Sequence, residues 1–285
     1  MENKGNLRAL TLKSYAKINL FLDVLSKRSD GFHNIRTIFS EITLFDTINF
    51  ILTKNSSVRI LTNKDFVSSE NNLIYKVAIF IRDYYNVQDS VEVFLEKNIP
   101  VCAGLGGGSS NAAVTIKALS DLWRLNLSES EMHDIAAEFG SDINFFLEGG
   151  CALGEGRGEQ INKLDDITID NLFLVKPPFE ISSWEAYKAV ELTQENIKWK
   201  DFIENSDPKL CFNKLQEGIG RIYPEIVEII NFLENNGAEK AILSGSGSTV
   251  IGFCPNTETA IRLSKYYSNK KYWNYITKTK RRSTK

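Results

Sequence analysis

The sequence predicts an α+β protein built from two domains. Apolar and polar residues alternate strictly over residues 18–24, which is typical of a half-buried strand. Over residues 112–123 the apolar residues recur every three to four positions, which is typical of a helix. A chain of 285 residues is long enough for two ordinary domains. A polar, acidic stretch lies between the better-patterned regions, so we predict domains at residues 1–165 and 166–285.

A glycine-rich loop between a strand and a helix is the central feature of the first domain. Residues 91–95 alternate as a strand, and the loop follows as Pro-Val-Cys-Ala-Gly-Leu-Gly-Gly-Gly-Ser-Ser-Asn from Pro100 to Asn111. Glycines let a backbone approach a ligand closely, and consecutive amides at a helix N-terminus attract anions. Ser109 and Ser110 suit the N-cap and can also bond a phosphate oxygen or the water shell of a metal. The pattern predicts a phosphate site, with a simple chain reversal as the alternative.

The loop differs from the two best-known nucleotide motifs. It contains no lysine, so it is not a Walker A loop, and the third glycine of Gly-x-Gly-x-x-Gly is replaced by Ser109. The loop therefore binds phosphate in some other structural context.

Composition narrows the class of protein. The net charge is −2, which gives no reason to expect nucleic acid, and the basic stretch at residues 278–285 is interpreted as a solvated tail. Four scattered cysteines without a Cys-x-x-Cys pair, and two histidines, disfavour a zinc site and fit a reducing compartment. No apolar run approaches ~18 residues, the length needed to cross a membrane. We expect a cytoplasmic protein.

Four polar positions stand out without being decisive alone. Lys17 and Asn19 share one face of the first strand, where a surface lysine is the ordinary interpretation. His33 follows a turn, and a lone histidine is more often structural than functional. Asp142 follows the end of a helix that opens with a capping box at residues 128–131, so it fits either the next N-cap or a reactive carboxylate.

For the second domain, the sequence predicts the order β-α-α-α-β-β-α-β. Residues 193–208 are polar and are expected to be irregular. Strands are expected at residues 172–176, 241–243, 250–253 and 272–277. This order resembles a ferredoxin-like domain with insertions. A second glycine loop, Ser-Gly-Ser-Gly-Ser-Thr, starts at Ser244, where a plain hairpin is the alternative.

These motifs together resemble the GHMP small-molecule kinases. The match comprises Ala-Lys-Ile-Asn-Leu from Ala16, Asp-Gly-Phe-His from Asp30, the first glycine loop, Ser-Asp-Ile from Ser141 and the second glycine loop. The motifs occur in the family's order and span nearly the whole chain. Two departures are Tyr15 and Asn144, each of which stands where the family usually has proline.

The resemblance implies a fold and a set of site residues. The fold would be the two-domain GHMP-kinase-like α+β fold, with a ribosomal protein S5 domain 2-like N-terminal domain and a ferredoxin-like C-terminal domain. ATP and Mg²⁺ would be the cofactors, with Lys17 and Asp142 catalytic and Ser109 a weak candidate metal ligand. The residues implied to bind ATP are Gly104, Leu105, Gly106, Gly107, Gly108, Ser109, Ser110, Asn111, Asn72, Lys97, Gly245 and Gly247. Those implied to bind the acceptor are Asn19, Phe32, His33, Asp142 and Tyr187.

The family branch with the most similar glycine loop phosphorylates a hydroxyl of a cytidine-diphosphate-linked methylerythritol in isoprenoid precursor biosynthesis. The resemblance implies this small-molecule substrate, no nucleic acid or membrane partner, and a monomer or homodimer. One alternative is a kinase for mevalonate, homoserine or a sugar. A second, from another class, is a non-enzymatic S5-like module that binds RNA, which the net charge of −2 disfavours.

Overall fold

The computed structural model describes residues 8–54, 57–63, 70–193 and 195–282, which form a mixture of strands and helices. The strands are β1 (Ala9–Lys27), β2 (His33–Thr53), β3 (Arg59–Thr62), β4 (Ser90–Glu96), β5 (Cys151–Glu155), β6 (Gln160–Lys163), β7 (Leu172–Lys176), β8 (Phe212–Asn213), β9 (Lys240–Leu243), β10 (Val250–Phe253) and β11 (Trp273–Thr277). The helices are α1 (Leu73–Tyr84), α2 (Gly107–Leu122), α3 (Glu129–Phe139), α4 (Ile143–Glu148), α5 (Ser183–Lys188), α6 (Trp199–Asn205), α7 (Leu215–Ile222), α8 (Pro224–Asn235) and α9 (Thr257–Asn269). A 3₁₀ helix covers Pro208–Leu210.

The strands of the described residues belong to two sheets. A seven-stranded sheet has the order β3-β4-β2-β1-β8, with β5 paired to β2 and β6 paired to β5. A four-stranded sheet has the order β11-β7-β10-β9, and its pairs are antiparallel. The four strands predicted for the second domain are present as β7, β9, β10 and β11, but the predicted order of elements is incomplete, because α6 and the short strand β8 lie between α5 and α7.

Tertiary contacts divide the chain into two compact units that are discontinuous in sequence. The first consists of the described residues within Met1–Ala16, Leu44–Ile99 and Gly107–Leu147. The second consists of those within Lys17–Thr43, Pro100–Gly106 and Glu148–Lys285. The glycine loop thus passes from the second unit to the first between Gly106 and Gly107. The predicted domain boundary at residues 165 and 166 stays a prediction.

In the first unit, α1 packs on α2, and α2 contacts α3. The apolar stripe of α1, from Ile74 to Ile81, is buried, and each large aliphatic side chain of this kind contributes about 1.5–3 kcal/mol on burial. The capping box is confirmed, since the Ser128 hydroxyl accepts from the Glu131 amide while the Glu131 carboxylate accepts from the Ser128 amide.

In the second unit, α7, α8 and α9 pack on the four-stranded sheet. The core is apolar and includes Phe173, Val175, Leu233, Leu243 and Val250. Strand β9 lies at the edge of this sheet. Two side chains cover its outward amides, because the Ala241 amide donates to Glu234 Oε1 (2.9 Å) and the Leu243 amide donates to Gln216 Oε1 (3.0 Å).

Elements β2 and α6 also differ from the sequence-based prediction. Residues 33–53 form one continuous strand, β2, where the sequence predicts one strand through residue 44 and another over residues 47–52. Residues 199–205 form α6, where an irregular segment was expected. Two aromatic residues hold α6 in place despite its polar sequence. Phe202 is completely buried, and the Arg36 guanidinium lies 4.7 Å from the ring centroid of Trp199.

The prediction of a solvated basic tail is wrong for residues 279–282. The Lys280 ammonium pairs with Glu41 Oε2 at 3.1 Å. The Arg282 guanidinium donates to the carbonyls of Gly149 (3.1 Å) and Cys151 (2.7 Å), and its amide donates to Asp166 Oδ2 (2.7 Å). Residues 283–285 lie outside the described part of the chain. None of the helices in the described ranges combines the length and apolar character of a membrane span.

Candidate active site

The glycine loop requires glycine where it approaches its neighbour. Gly104 has φ of +71°, and a β-carbon built on it would lie 1.9 Å from the Ser244 carbonyl oxygen. The Ser244 hydroxyl donates to the Gly104 carbonyl (3.1 Å), and the Lys17 amide donates to the Leu105 carbonyl (3.0 Å). Gly106 also has positive φ, +66°. The first half of the loop is therefore held by β1 and by the second glycine loop.

The second half of the loop is the first turn of α2. This helix begins at Gly107, so Ser109 and Ser110 lie within its first turn, and the predicted N-cap position for them is wrong. The first turn carries no acidic residue, so the positive end of the helix dipole is not offset there by a carboxylate of its own. The first amides of a helix have no partner within the helix. Gly108 is exposed and Ser109 half-buried, so this turn can receive an anion.

Lys97 and Leu73, the residue that follows Asn72, lie beside this turn within the first unit. A β-carbon on Gly107 would lie 2.9 Å from Lys97 Nζ, and one on Gly108 would lie 3.7 Å from Leu73 Cδ1. Asn72 caps α1, because its Oδ1 accepts from the Ile74 amide (2.9 Å). Its Nδ2 is buried and has no hydrogen-bond partner among the described residues. A buried donor without a partner is costly.

Lys97 is a buried cation. Its Nζ donates to Asp46 Oδ2 at 2.6 Å, and its side chain is only 6% exposed. Burial lowers the pKa of Lys97, and the attraction of the Asp46 carboxylate opposes that shift. Of the predicted residues, Lys97, Gly107 and Gly108 thus meet at one helix N-terminus, and Asn72 caps α1, the helix that packs on α2.

Lys17 and Asn19 lie together in the second unit, with their side chains buried. Alternation along β1 places them on one side of the strand, as predicted, and Lys17 Nζ donates to Asn19 Oδ1 (2.7 Å). Asn19 Nδ2 in turn donates to Thr37 Oγ1 (2.7 Å). The ammonium lies over the Phe39 ring, 5.4 Å from its centroid. Because both side chains are nearly inaccessible to solvent, the surface-lysine interpretation is wrong.

The second glycine loop completes this cluster. A β-carbon on Gly245 would lie 3.3 Å from Lys17 Nζ and 3.1 Å from Asn19 Oδ1. Sequence reasoning missed Asn213, whose Nδ2 donates to the carbonyls of Leu243 (2.7 Å) and Gly245 (2.8 Å). Gly247 has φ of +89° and packs on Leu243. The loop is therefore a supported wall beside Lys17 and not a free hairpin.

Asp142 directly precedes α4 in the first unit. Asn144, which replaces the family's proline, lies in the first turn of α4, where a proline is also tolerated because the amide needs no helical partner. Its Oδ1 lies 2.9 Å from His133 Nδ1. The presence of Asn144 in place of proline therefore does not disturb the start of α4, which directly follows Asp142.

An aromatic pair links β2 to α5 in the second unit. The His33 and Tyr187 rings stack at 5.4 Å between centroids with 22° between their planes. Burial, followed by the nearby Lys27 ammonium, lowers the pKa of His33, which favours its neutral imidazole. Phe32 is 54% exposed, and the Arg157 guanidinium lies 5.2 Å from its ring centroid. Flat, partly exposed rings of this kind can stack on a nucleobase.

Comparison with known proteins identifies matching families and folds. The model of the GHMP kinases N-terminal domain matches residues 72–150, and that of the GHMP kinases C-terminal domain matches residues 189–272. The chain is 39% identical over 284 residues to 4-diphosphocytidyl-2-C-methyl-D-erythritol kinase of Thermodesulfovibrio yellowstonii, covering 95% of this chain and 98% of that one. It is 39% identical over 250 residues to the Bacillus subtilis protein of the same name, covering 84% and 86%.

Solved structures agree with these matches. A crystal structure of 4-(cytidine 5'-diphospho)-2C-methyl-D-erythritol kinase superposes with a TM-score of 0.80 and 26% identity, covering 95% of this chain and 99% of that chain. A homoserine kinase from Cytophaga hutchinsonii, at 14% identity and a TM-score of 0.69 over 99% and 97% of the chains, shares the fold. The two-domain α+β fold and the sequence motifs thus have one explanation: this chain is a member of the GHMP kinase family.

Proposed function

We propose that this protein transfers the γ-phosphoryl group of ATP to a hydroxyl of 4-diphosphocytidyl-2-C-methyl-D-erythritol, giving the 2-phosphate and ADP. The observation that carries the proposal is the N-terminus of α2 at Gly107, whose first turn carries no acidic residue and lies beside the Lys97 ammonium. The kinase name shared by relatives at 39% identity supports the acceptor. The product feeds isoprenoid precursor biosynthesis.

The residues present fit a nucleotide. The close approach of Gly104 to Ser244 leaves no room for a β-carbon, so the loop keeps its amides free of side-chain cover there. The amides of the first turn of α2 bind the phosphates, and Ser109 and Ser110 add hydroxyl donors. The unpartnered Nδ2 of Asn72 supplies a donor for the base.

A metal ion would arrive with the nucleotide. Within the described ranges, no cluster of three or more His, Cys, Asp or Glu side chains could hold one. This fits Mg²⁺, which usually keeps several waters and binds substrate phosphates plus one or two protein oxygens. Ser109 is the protein ligand we propose for it. The ion would neutralise charge on the phosphates, as in other phosphoryl-transfer enzymes.

Lys17 and Asp142 carry the transfer itself in this proposal. Phosphoryl transfer depends on positioning and on cations around the moving group. The buried Lys17 ammonium, held by Asn19, pairs with the γ-phosphate oxygens and stabilises charge that develops in the transition state. Asp142 accepts the proton of the attacking hydroxyl as general base.

The cytidine end of the acceptor is recognised by the aromatic residues of the second unit. The stacked pair of His33 and Tyr187 presents a flat surface to the base, with exposed Phe32 next to His33 in the chain. Asn19 contributes to binding near the reacting end. We also propose a monomer or homodimer, and a cytoplasmic location, which the four free thiols fit because such compartments are reducing.

An ADP-release assay tests this function. The wild-type protein is supplied with ATP, Mg²⁺ and one acceptor at a time: the cytidyl methylerythritol substrate, mevalonate, homoserine or galactose. We expect turnover with the first acceptor alone, because only that one has a cytidine for the aromatic residues. Faster turnover with another acceptor would replace the proposed substrate by that alcohol.

A substitution in the same assay tests the mechanism. Asp142→Ala should lower kcat by at least ~10²-fold, the range for a positioned base, with little change in ATP affinity. Asp134→Ala, in which an exposed aspartate of α3 is removed, is the matched control and should behave as wild type. Unchanged turnover of Asp142→Ala would remove that residue from the mechanism.

A further inference from the structure

Asp46 is a completely buried carboxylate that no sequence motif singled out. It lies in β2 and accepts four hydrogen bonds. Its Oδ2 accepts from Lys97 Nζ (2.6 Å) and Asn111 Nδ2 (2.9 Å), and its Oδ1 accepts from the amides of Asn98 (2.7 Å) and Ile99 (2.8 Å). A buried carboxylate is tolerated only when it is paired and hydrogen-bonded, and here both oxygens are fully used.

The four donors lie on the two stems of the glycine loop. Lys97, Asn98 and Ile99 form the stem that enters the loop, and Asn111 lies at the start of α2, where the chain leaves it. One carboxylate therefore ties the entering stem to the leaving stem. All of these contacts lie within the first compact unit.

The network continues to a hydroxyl of the first turn. The same Asn111 Nδ2 also donates to Ser14 Oγ (2.9 Å), and Ser14 Oγ donates to Ser110 Oγ (2.7 Å). Ser110 is thus an acceptor in this chain of bonds, which leaves its own proton for a different acceptor. The orientation of a hydroxyl in the first turn of α2 therefore depends, through two residues, on Asp46.

We propose that Asp46 is a positioning residue for nucleotide binding: by joining Lys97 to Asn111 it sets the spacing of the loop stems and holds the Lys97 ammonium beside Gly107. This inference rests on the proposed function, since it assumes that the first turn of α2 receives the nucleotide phosphates. Asp46 itself touches no reacting atom in this account. It acts through Lys97, Asn111 and Ser110.

The decisive variant is Asp46→Asn, which keeps an acceptor for the two backbone amides but turns an NH₂ group toward Lys97 and Asn111. The new NH₂ group would face the donors of Lys97 and Asn111, so both hydrogen bonds that join the two stems are lost. We expect KM for ATP and Kd for ADP to rise about tenfold, the equivalent of losing one charge-assisted hydrogen bond. The value of kcat at saturating ATP should change by less than about twofold, since uniform binding alone is lost.

The matched control is Asp23→Asn. Asp23 is also buried and also accepts two backbone amides, those of Val24 (2.9 Å) and Asn196 (2.7 Å), but it lies outside the nucleotide-binding residues. The Asp23→Asn variant should lower Tm, as Asp46→Asn should, but its Kd for ADP should stay within about twofold of wild type. This comparison separates positioning from a general loss of stability.

Calorimetric titration with ADP as the probe measures the affinity for the nucleotide independently of turnover. Weakened ADP binding in Asp46→Asn but not in Asp23→Asn supports the inference. Equal ADP affinity in Asp46→Asn and wild type, or equal weakening in both variants, overturns it. If Asp46→Asn does not fold, Ser14→Ala replaces it with an expected weakening of about threefold, and unchanged binding there overturns the inference equally. Failure of the wild type to release ADP with the acceptor would refute the proposed function instead.

Discussion

Replacement of Gly104 by alanine tests how tightly the first glycine loop contacts the second. Alanine at a φ of +71° carries a backbone cost of about 1–2 kcal/mol. The new β-carbon would also lie 1.9 Å from the Ser244 carbonyl oxygen, which must retreat by roughly 1 Å, because such contacts are essentially never shorter than 3.0 Å. Overpacking of this kind costs about 1–3 kcal/mol. We therefore expect Gly104→Ala to lose about 2–5 kcal/mol of unfolding free energy.

Gly31→Ala is the matched control for that measurement. Gly31 has a similar φ of +87°, but a β-carbon there would meet nothing within 4 Å. It should lose only the backbone cost, about 1–2 kcal/mol. Urea denaturation followed by circular dichroism measures both variants, and the difference between them isolates the contact with Ser244. Equal losses would refute the reasoning, because they would mean that the two loops do not approach as closely as described.

Three further predictions concern the catalytic cation, the aromatic pair and the thiols. Lys17→Ala should lower kcat in the ADP-release assay by about 10²-fold or more, because a transition-state contact is lost, and wild-type turnover would return Lys17 to a structural role. Tyr187→Ala should raise KM for the cytidyl substrate by about 5- to 150-fold, the worth of one stacked base, whereas Trp184→Ala, on the exposed part of the same helix, should not; equal effects would contradict the stacking role. With a disulfide reagent at pH 8, the native chain should expose one reactive thiol, that of Cys102, because the other three cysteines are buried. Burial raises the pKa of Cys254 to about 11 and of Cys151 to about 12, so these should react only after unfolding, and two or more fast native thiols would be contrary evidence.

Short-range patterns in the sequence predicted most of the fold correctly. The capping box of α3 and the boundaries of β7 and β10 depend on residues a few positions apart, so the local sequence carries their signal. The alternation along β1 likewise predicted that Lys17 and Asn19 share one side. Their burial was not readable from the pattern, because it depends on Thr37 and on the second glycine loop, which come from distant parts of the chain.

The parts of the candidate site that were missed depend on long-range hydrogen bonds. Asp46 meets Lys97 and Asn111 across 51 and 65 residues, and Asn213 reaches the second glycine loop across 32. In the sequence, each looks like an ordinary polar residue in or beside a strand. The same reason explains why β2 was expected to be two strands. Asp46 falls between the two predicted strands, and its buried partner Lys97 allows a single strand to continue through it.

The covered margin of the four-stranded sheet bears on how the protein behaves in concentrated solution. An uncovered strand at such a margin is a template on which another molecule can add its own strand, the first step toward aggregation. In β9, the carboxylate oxygen of Glu234 and the side-chain amide oxygen of Gln216 already accept hydrogen bonds from the amides that an incoming strand would need. At high protein concentration, a second molecule therefore cannot add a strand through these two amides unless it first displaces both side chains.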